Sequence, residues 1–168
     1  MARSASEDAT ALAAVIETPF PGGERLGLAF EGARLRAVDF RPAGTALHRS
    51  DNPLVQEAVR QFEAYFADPR MAFALPLVPA ATPFQEAVRA ALCAIPPGQT
   101  RTYGEVARAV ASAPRAVGGG CRANPVPLVV PCHRVVAAGG RGGFAGEREG
   151  PALAIKRWLL RHEGARSD

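Results

Sequence analysis

Near residue 81 the spacing of apolar residues changes character, and this change constrains the fold more than any single motif. Around residues 13–40, the short apolar runs LAAVIETPF, RLGLAF and RLRAVDF are punctuated by Gly and Pro, the pattern of two or three antiparallel strands. Asn52 then offers a helix cap with Pro53 at the first helical position, and Leu54, Val55, Ala58, Val59, Phe62 and Phe66 fall on one face. FALPLVPAAT, ending near residue 81, reads as a linker. Beyond it the period is helical. Thr82, Pro83 and Gln85 form a capping-box start, and Phe84, Ala87, Val88, Ala91, Leu92 and Ile95 make a buried face, with Cys93 expected in the core beside it. IPPGQT ends that helix. Thr102 and Glu105 open another through about Ala111, and SAP leads on to RAVGGGCRANP. The two periods predict an α+β chain, with a small N-terminal α/β domain over residues 1–80 and a helical C-terminal domain over residues 81–168.

Charge divides the chain at the same place. Residues 1–80 carry 8 Arg against 10 acidic residues, a net −2, whereas residues 81–168 carry 11 Arg and 1 Lys against 6 acidic residues, a net +6. A basic C-terminal half suits either a solvated surface or an anionic partner such as nucleic acid. The N-terminal stretch lacks the apolar core of a targeting signal, and no apolar run approaches the roughly 18–20 residues of a membrane span, so a cytoplasmic protein is expected. Cys93, Cys121 and Cys132 have no C-x-x-C spacing and suggest neither a disulfide framework nor a zinc site. No resolving cysteine stands beside Cys132 in the sequence.

Two short helices joined by a tight turn in a basic domain suggest helix-turn-helix. Gly118, Gly119 and Gly120 oppose the second helix by roughly 2–3 kcal/mol relative to alanine. Either the segment is a glycine-rich loop, or the helix uses its bare backbone to lie close against another surface.

The segment NPVPLVVPCHRVV places Cys132, His133 and Arg134 side by side in the most apolar part of the chain. Both basic groups can raise the thiolate fraction of a cysteine. Neighbouring side chains do not face each other on a strand or helix, so proton transfer between Cys132 and His133 requires a bridging water or a turn. Pro131 favours the turn.

VPCHRVV, preceded by RAVGG and NPVP, with TPFQ and IPPGQTRTYGEVA upstream and KRWLLRHEG downstream, resembles the O6-alkylguanine-DNA alkyltransferases, in the family's order over most of residues 82–164. The resemblance implies a ribonuclease H-like N-terminal domain and a winged-helix-like C-terminal domain. Cys132 would be the nucleophile that takes an alkyl group from O6 of guanine, and His133 its general base through a water, oriented by Glu163. Tyr103 would donate a hydrogen bond to the leaving guanine, and Asn124 would hinge the helix-turn-helix onto the active-site segment. Arg115 would fill the place of the flipped nucleotide, with Arg122, Gly118, Gly119 and Tyr103 against the minor groove of double-stranded DNA. Pro131, Val135, Phe144 and Ala145 would line the substrate pocket. The resemblance further implies a monomer that needs no metal or cofactor and acts once per molecule, on O6-alkylguanine and on O4-alkylthymine.

Two departures stand out. Arg89 replaces a tryptophan common in the family, and GFAGEREGPALAIK is longer than the usual path from the pocket loop to the last helix, which bears on the roles of Phe144 and Ala145. A non-enzymatic binder of alkylated DNA and an alkylation-sensing regulator are the alternatives. The first typically lacks the cysteine that Cys132 supplies, and the second would call for a further cysteine-rich module.

Overall fold

A computed structural model describes residues 11–139 and 150–165. The chain divides into two compact units, Met1–Val78 and Pro79–Asp168. Among the described residues, no helix is long and apolar enough to cross a membrane.

The first unit is an antiparallel sheet with one helix. Strands β1 (Ala14–Ile16), β2 (Arg25–Glu31), β3 (Arg34–Arg41) and β4 (His48–Arg49) lie in the order β3-β2-β1-β4. Gly32 adopts φ 57° in the tight β2–β3 turn, a left-handed conformation that glycine reaches without steric cost. Alternation buries Leu26 and Leu28 on one face of β2. Helix α1 (Pro53–Ala67) starts as its sequence predicts, with Asn52 Oδ1 accepting from the Leu54 amide at 2.9 Å. Its buried face is Val55, Ala58, Val59, Gln61, Phe62 and Tyr65. Leu54, expected on that face, sits in the first turn and is 43% exposed; Phe66 is half-buried, and Tyr65 takes the covered place.

More than half of the expected linker belongs to this unit. Gln61, buried in α1, donates to Ala74 O at 3.3 Å and accepts from Ala74 N at 2.8 Å, clamping the strand of chain that follows the helix. Leu77 then bridges Leu35 of β3 in parallel, with Leu35 N to Pro76 O at 2.8 Å and Val78 N to Leu35 O at 3.0 Å. This satisfies part of the outer edge of β3, which would otherwise present unpaired backbone groups.

In the second unit, α2 (Pro83–Cys93) is capped by Thr82, whose Oγ1 accepts from Gln85 N at 3.1 Å, and buries Val88 and Leu92. Cys93 is exposed instead of buried, since it lies one residue and some 100° beyond Leu92 on the helix. Gly98 follows with φ 86°, and a Cβ there would come within 3.0 Å of Glu163 O. That glycine lets the connection pass against the end of the last helix. Strand β5 (Arg101–Thr102) pairs in parallel with β6 (Val135–Val136), and Thr102 caps α3 (Tyr103–Ala109) through Glu105 N. Helix α4 (Pro114–Arg122) includes all three glycines, so the helical alternative holds. Helix α5 (Pro151–His162) completes the unit, with Ile155, Leu159 and Leu160 buried beside Val106, Val117, Val126, Leu128, Val130 and Val135 in the core.

Candidate functional site

Helix α4 has two faces of different chemistry. Arg115, Gly118, Gly119 and Arg122 recur at i, i+3, i+4 and i+7 and so share one side. Both arginines are exposed, and a Cβ added at Gly118 or Gly119 would meet nothing within 4 Å. Val117, Gly120 and Cys121 share the other side. Val117 is fully buried, and a Cβ on Gly120 would lie 3.4 Å from Val88 Cγ1. Gly120 therefore serves packing of α4 on α2, and only Gly118 and Gly119 present bare backbone outward.

Pro131 sets the geometry of the segment that carries Cys132. At φ −81° and ψ 67°, with Cys132 N donating to Val130 O at 2.8 Å, it forms an inverse γ-turn. Cys132–Arg134 then close a single 3-10 turn, with Arg134 N bonded to Pro131 O at 3.1 Å. The turn, and not a strand, is what lets three successive side chains take separate tasks. Upstream, Leu128 is buried with φ 71°, a conformation that costs a bulky residue on the order of 1–3 kcal/mol, and it helps bend Asn124–Val130 back on itself. Asn124 ties this bend together. Its Nδ2 donates to Val130 O at 2.9 Å, its Oδ1 accepts from Val126 N at 3.1 Å, and its own amide donates to Cys121 O at 3.2 Å.

His133 is fully buried, and its Nε2 lies 2.9 Å from Glu163 Oε2. A carboxylate can only accept, so the proton of the neutral ring is assigned to Nε2 and the lone pair to Nδ1. Nδ1 has no hydrogen-bond partner among the described residues. Burial pushes the imidazole pKa down from 6.5, against the upward pull of Glu163, which keeps the ring neutral and basic at Nδ1. Arg134 completes the carboxylate's shell: Nε reaches Oε1 and Nη2 reaches Oε2, both at 2.9 Å, while Nη1 donates to Ile95 O at 2.6 Å.

Cys132 is only 7% exposed, and burial pushes its thiol pKa up from 9.0. A hydrogen bond from Asn124 and the charge of Lys156 pull the other way. From the sequence, His133 and Arg134 are expected to raise the thiolate fraction of Cys132. Burial instead keeps His133 neutral and Arg134 is turned onto Glu163, so the buried Cys132 rests as a thiol. Tyr103 follows β5, which pairs with the segment after Cys132. Burial first, then the thiolates that Cys121 and Cys132 become in alkali, push its phenol up to about 12, so it is a hydrogen-bond donor at neutral pH. Pro131 and Val135 are both buried; Val135 is in the core, and its carbonyl accepts from Lys156 Nζ at 2.8 Å. Phe144 and Ala145 lie outside the described residues.

Sequence reasoning missed Lys156, which is fully buried beside the thiol, and the pairing of Arg134 with Glu163. One signal was available for the first: Lys156 is the only lysine in a chain otherwise supplied with arginine, and it adjoins the apolar stripe of Ile155, Leu159 and Leu160.

Known proteins contain both units. The family described as 6-O-methylguanine DNA methyltransferase, DNA binding domain, matches residues 83–165, and its ribonuclease-like domain matches residues 12–79. A methylated-DNA–protein-cysteine methyltransferase of Methanosarcina acetivorans is 46% identical over 113 residues, 66% of this chain and 69% of that protein. The crystal structure of Mycobacterium tuberculosis O6-methylguanine methyltransferase superposes with a TM-score of 0.74 at 33% identity, covering 94% of this chain and 96% of that one. Mycobacterium tuberculosis OGT in complex with DNA superposes with a TM-score of 0.71 at 35% identity, covering 91% and 92%.

Proposed function

The chain belongs to the 6-O-methylguanine DNA methyltransferase family, and we infer that it repairs DNA by moving an alkyl group from O6-alkylguanine onto its own Cys132, once per molecule. One observation carries the assignment of residues: the buried line from Glu163 to His133 Nε2, with the opposite ring nitrogen left free next to the Cys132 turn.

The chemistry follows from these groups. Cys132 gives its proton through a water to His133 Nδ1, and the imidazolium that forms is stabilised by Glu163 across the 2.9 Å contact. Lys156 and Asn124 favour the thiolate as it appears. The sulfur attacks the alkyl carbon in line with the C–O bond, a thioether forms, and the electron pair leaves on the guanine, which Tyr103 meets as a hydrogen-bond donor. No general acid stronger than a phenol is needed, because charge spreads over the purine. The thioether has no easy leaving group, so the reaction ends there.

Duplex DNA must first yield its target. Flipping a nucleotide out of the stack costs a few kcal/mol, and Arg115 offsets part of this by filling the gap. Gly118 and Gly119 let α4 lie close in the minor groove, with Arg122 at the phosphate backbone. The protein acts as a cytoplasmic monomer, with O4-alkylthymine as a second substrate.

The test is stoichiometric. With excess O6-methylguanine duplex, the intact chain should gain one methyl group, mapped to Cys132, while Cys132→Ala should bind the same DNA and gain nothing. Methylation at Cys121 would overturn the site. Tight binding without transfer would identify a non-enzymatic binder, and repeated turnover would refute the reaction class.

A further inference from the structure

Cys121 has no task in alkyl transfer, yet hydrogen bonds through Asn124 tie its helix turn to the segment that carries the acceptor. It sits on the inward side of α4 with Val117 and Gly120, opposite the arginines. A short ladder of hydrogen bonds links it to the reactive turn: Asn124 N to Cys121 O at 3.2 Å, Asn124 Nδ2 to Val130 O at 2.9 Å, and Cys132 N to the same Val130 O at 2.8 Å. The two thiols also share neighbours. Negative charge on either raises the Tyr103 phenol, Lys156 acts on both, and Cys132 together with burial pushes Cys121 up to about 12. Cys93, by contrast, is exposed on α2.

We propose that Cys121 and Cys132 form a redox pair, in which Cys121 closes a disulfide onto Cys132 after a hydroperoxide has oxidised it, and so keeps the acceptor sulfur recoverable. In the first step the Cys132 thiolate attacks one peroxide oxygen. An S–O bond forms, the O–O bond breaks, sulfur loses two electrons, and the departing oxygen takes a proton to leave as alcohol or water. In the second step the Cys121 sulfur attacks the sulfenic sulfur. The S–S bond forms, the S–O bond breaks, and hydroxide leaves as water with the proton from Cys121. Without a partner thiol, the sulfenic acid of Cys132 goes on to sulfinic acid, which is irreversible for this chain's own chemistry. Cys121, half-buried at the end of α4, thus converts terminal damage into a reversible state.

The pairing rests on the Cys132 assignment only for its effect on repair, since the disulfide is read by mass whether or not alkyl transfer occurs. The full chain, free of DNA, is treated with hydrogen peroxide and analysed by intact mass and non-reducing peptide mapping. Wild type should lose two hydrogen atoms, yield a Cys121–Cys132 cross-linked peptide, lose alkyl transfer, and return to the rate of untreated protein after dithiothreitol. Cys121→Ser, compared with its own untreated form, should gain two or three oxygens at Cys132, as sulfinic or sulfonic acid, and stay inactive after reduction. Cys93→Ser should behave as wild type. Accumulation of sulfinic acid at Cys132 in the wild type without a disulfide, or a bridge involving Cys93, would overturn the proposal. A Cys121–Cys132 bridge that leaves alkyl transfer intact would instead overturn Cys132 as the acceptor.

Discussion

Replacing Glu163 by glutamine preserves the shape of the side chain and removes its charge, and the structure sets what that costs. The carboxylate is fully buried and receives three donors at 2.9 Å: His133 Nε2, Arg134 Nε and Arg134 Nη2. An amide has one accepting oxygen and an NH2 that accepts nothing, so at least one donor is left unsatisfied, at about 1–3 kcal/mol. Removing one partner of a buried ion pair costs about 3–5 kcal/mol, and the two penalties describe the same contacts. A loss near the larger range is therefore expected, a large part of the ~5–15 kcal/mol of a typical domain. Trp158, the only tryptophan, stands on α5 stacked against His162 and reports unfolding by fluorescence, so a denaturant midpoint measures the loss. Catalysis should fail for a separate reason. An amide NH2 facing Nε2 favours the ring tautomer protonated at Nδ1, which removes the base, so single-turnover rates should fall and their pH dependence should approach that of an unassisted thiol. Adding Arg134→Met to Glu163→Gln should restore part of the stability and none of the rate. A Glu163→Gln protein with lowered midpoint and unchanged rate would refute the relay while leaving Glu163 as a strut. Unchanged midpoint and rate would refute both.

Other consequences are open to measurement. Arg115→Ala should slow repair of duplex substrate much more than reaction with a free O6-alkylguanine analogue, and equal losses would exclude a role in filling the stack. Wild-type affinity for duplex should fall as salt rises, with a negative slope of log K against log salt; a flat response would exclude phosphate contacts by the arginines. Gly118→Ala and Gly119→Ala, each with open space for the new methyl, should stabilise the fold by roughly 0.5–1 kcal/mol while weakening duplex binding; calorimetry and fluorescence anisotropy read the two, and unchanged affinity would remove the reason for bare backbone there. Stability should also depend on pH in both directions. Cys132 and Cys121 keep protons in the fold that the unfolded chain gives up above 9.0, so stability is intact below that pH and declines above it, Cys132 contributing a slope of about 1.4 kcal/mol per pH unit. His133 resists a proton that the unfolded chain accepts below 6.5, so stability holds above that value and falls on acidification. Denaturant midpoints constant from acid to alkali would contradict this burial.

Local chemistry was legible where it acts over one turn of chain. Asn52, Thr82 and Thr102 cap their helices because a side-chain oxygen needs only the amide two or three residues on, and Pro131 forces its turn through its own φ. Periodicity marked which side of α1 and α2 is apolar. It could not say how wide a stripe the rest of the fold covers, and so Leu54 and Cys93 were placed inside when both are exposed. Contacts across long separations left no local pattern, and the one that was anticipated, His133 with Glu163, came from the resemblance alone. Leu77 completes an edge beside Leu35, Arg134 meets Glu163 across 29 residues, and Asn124 links Cys121 O to Val130 O, none of which leaves a repeating signal. The glycine triplet lay between, for composition posed the question of helix or loop and only packing on Val88 separated Gly120 from its two neighbours.

Lys156 gives the molecule a built-in clock for its own opening. It is the sole lysine, its side chain is sealed at 0% exposure, and its ammonium is anchored to Val135 O. Any enzyme or reagent that modifies lysine amines must therefore wait until α5 lifts from the turn that carries Cys132. The rate of labelling would report the free energy of that local opening. Any attachment through this lysine is likewise confined to molecules in which the packing between α5 and the Cys132 turn has already come apart.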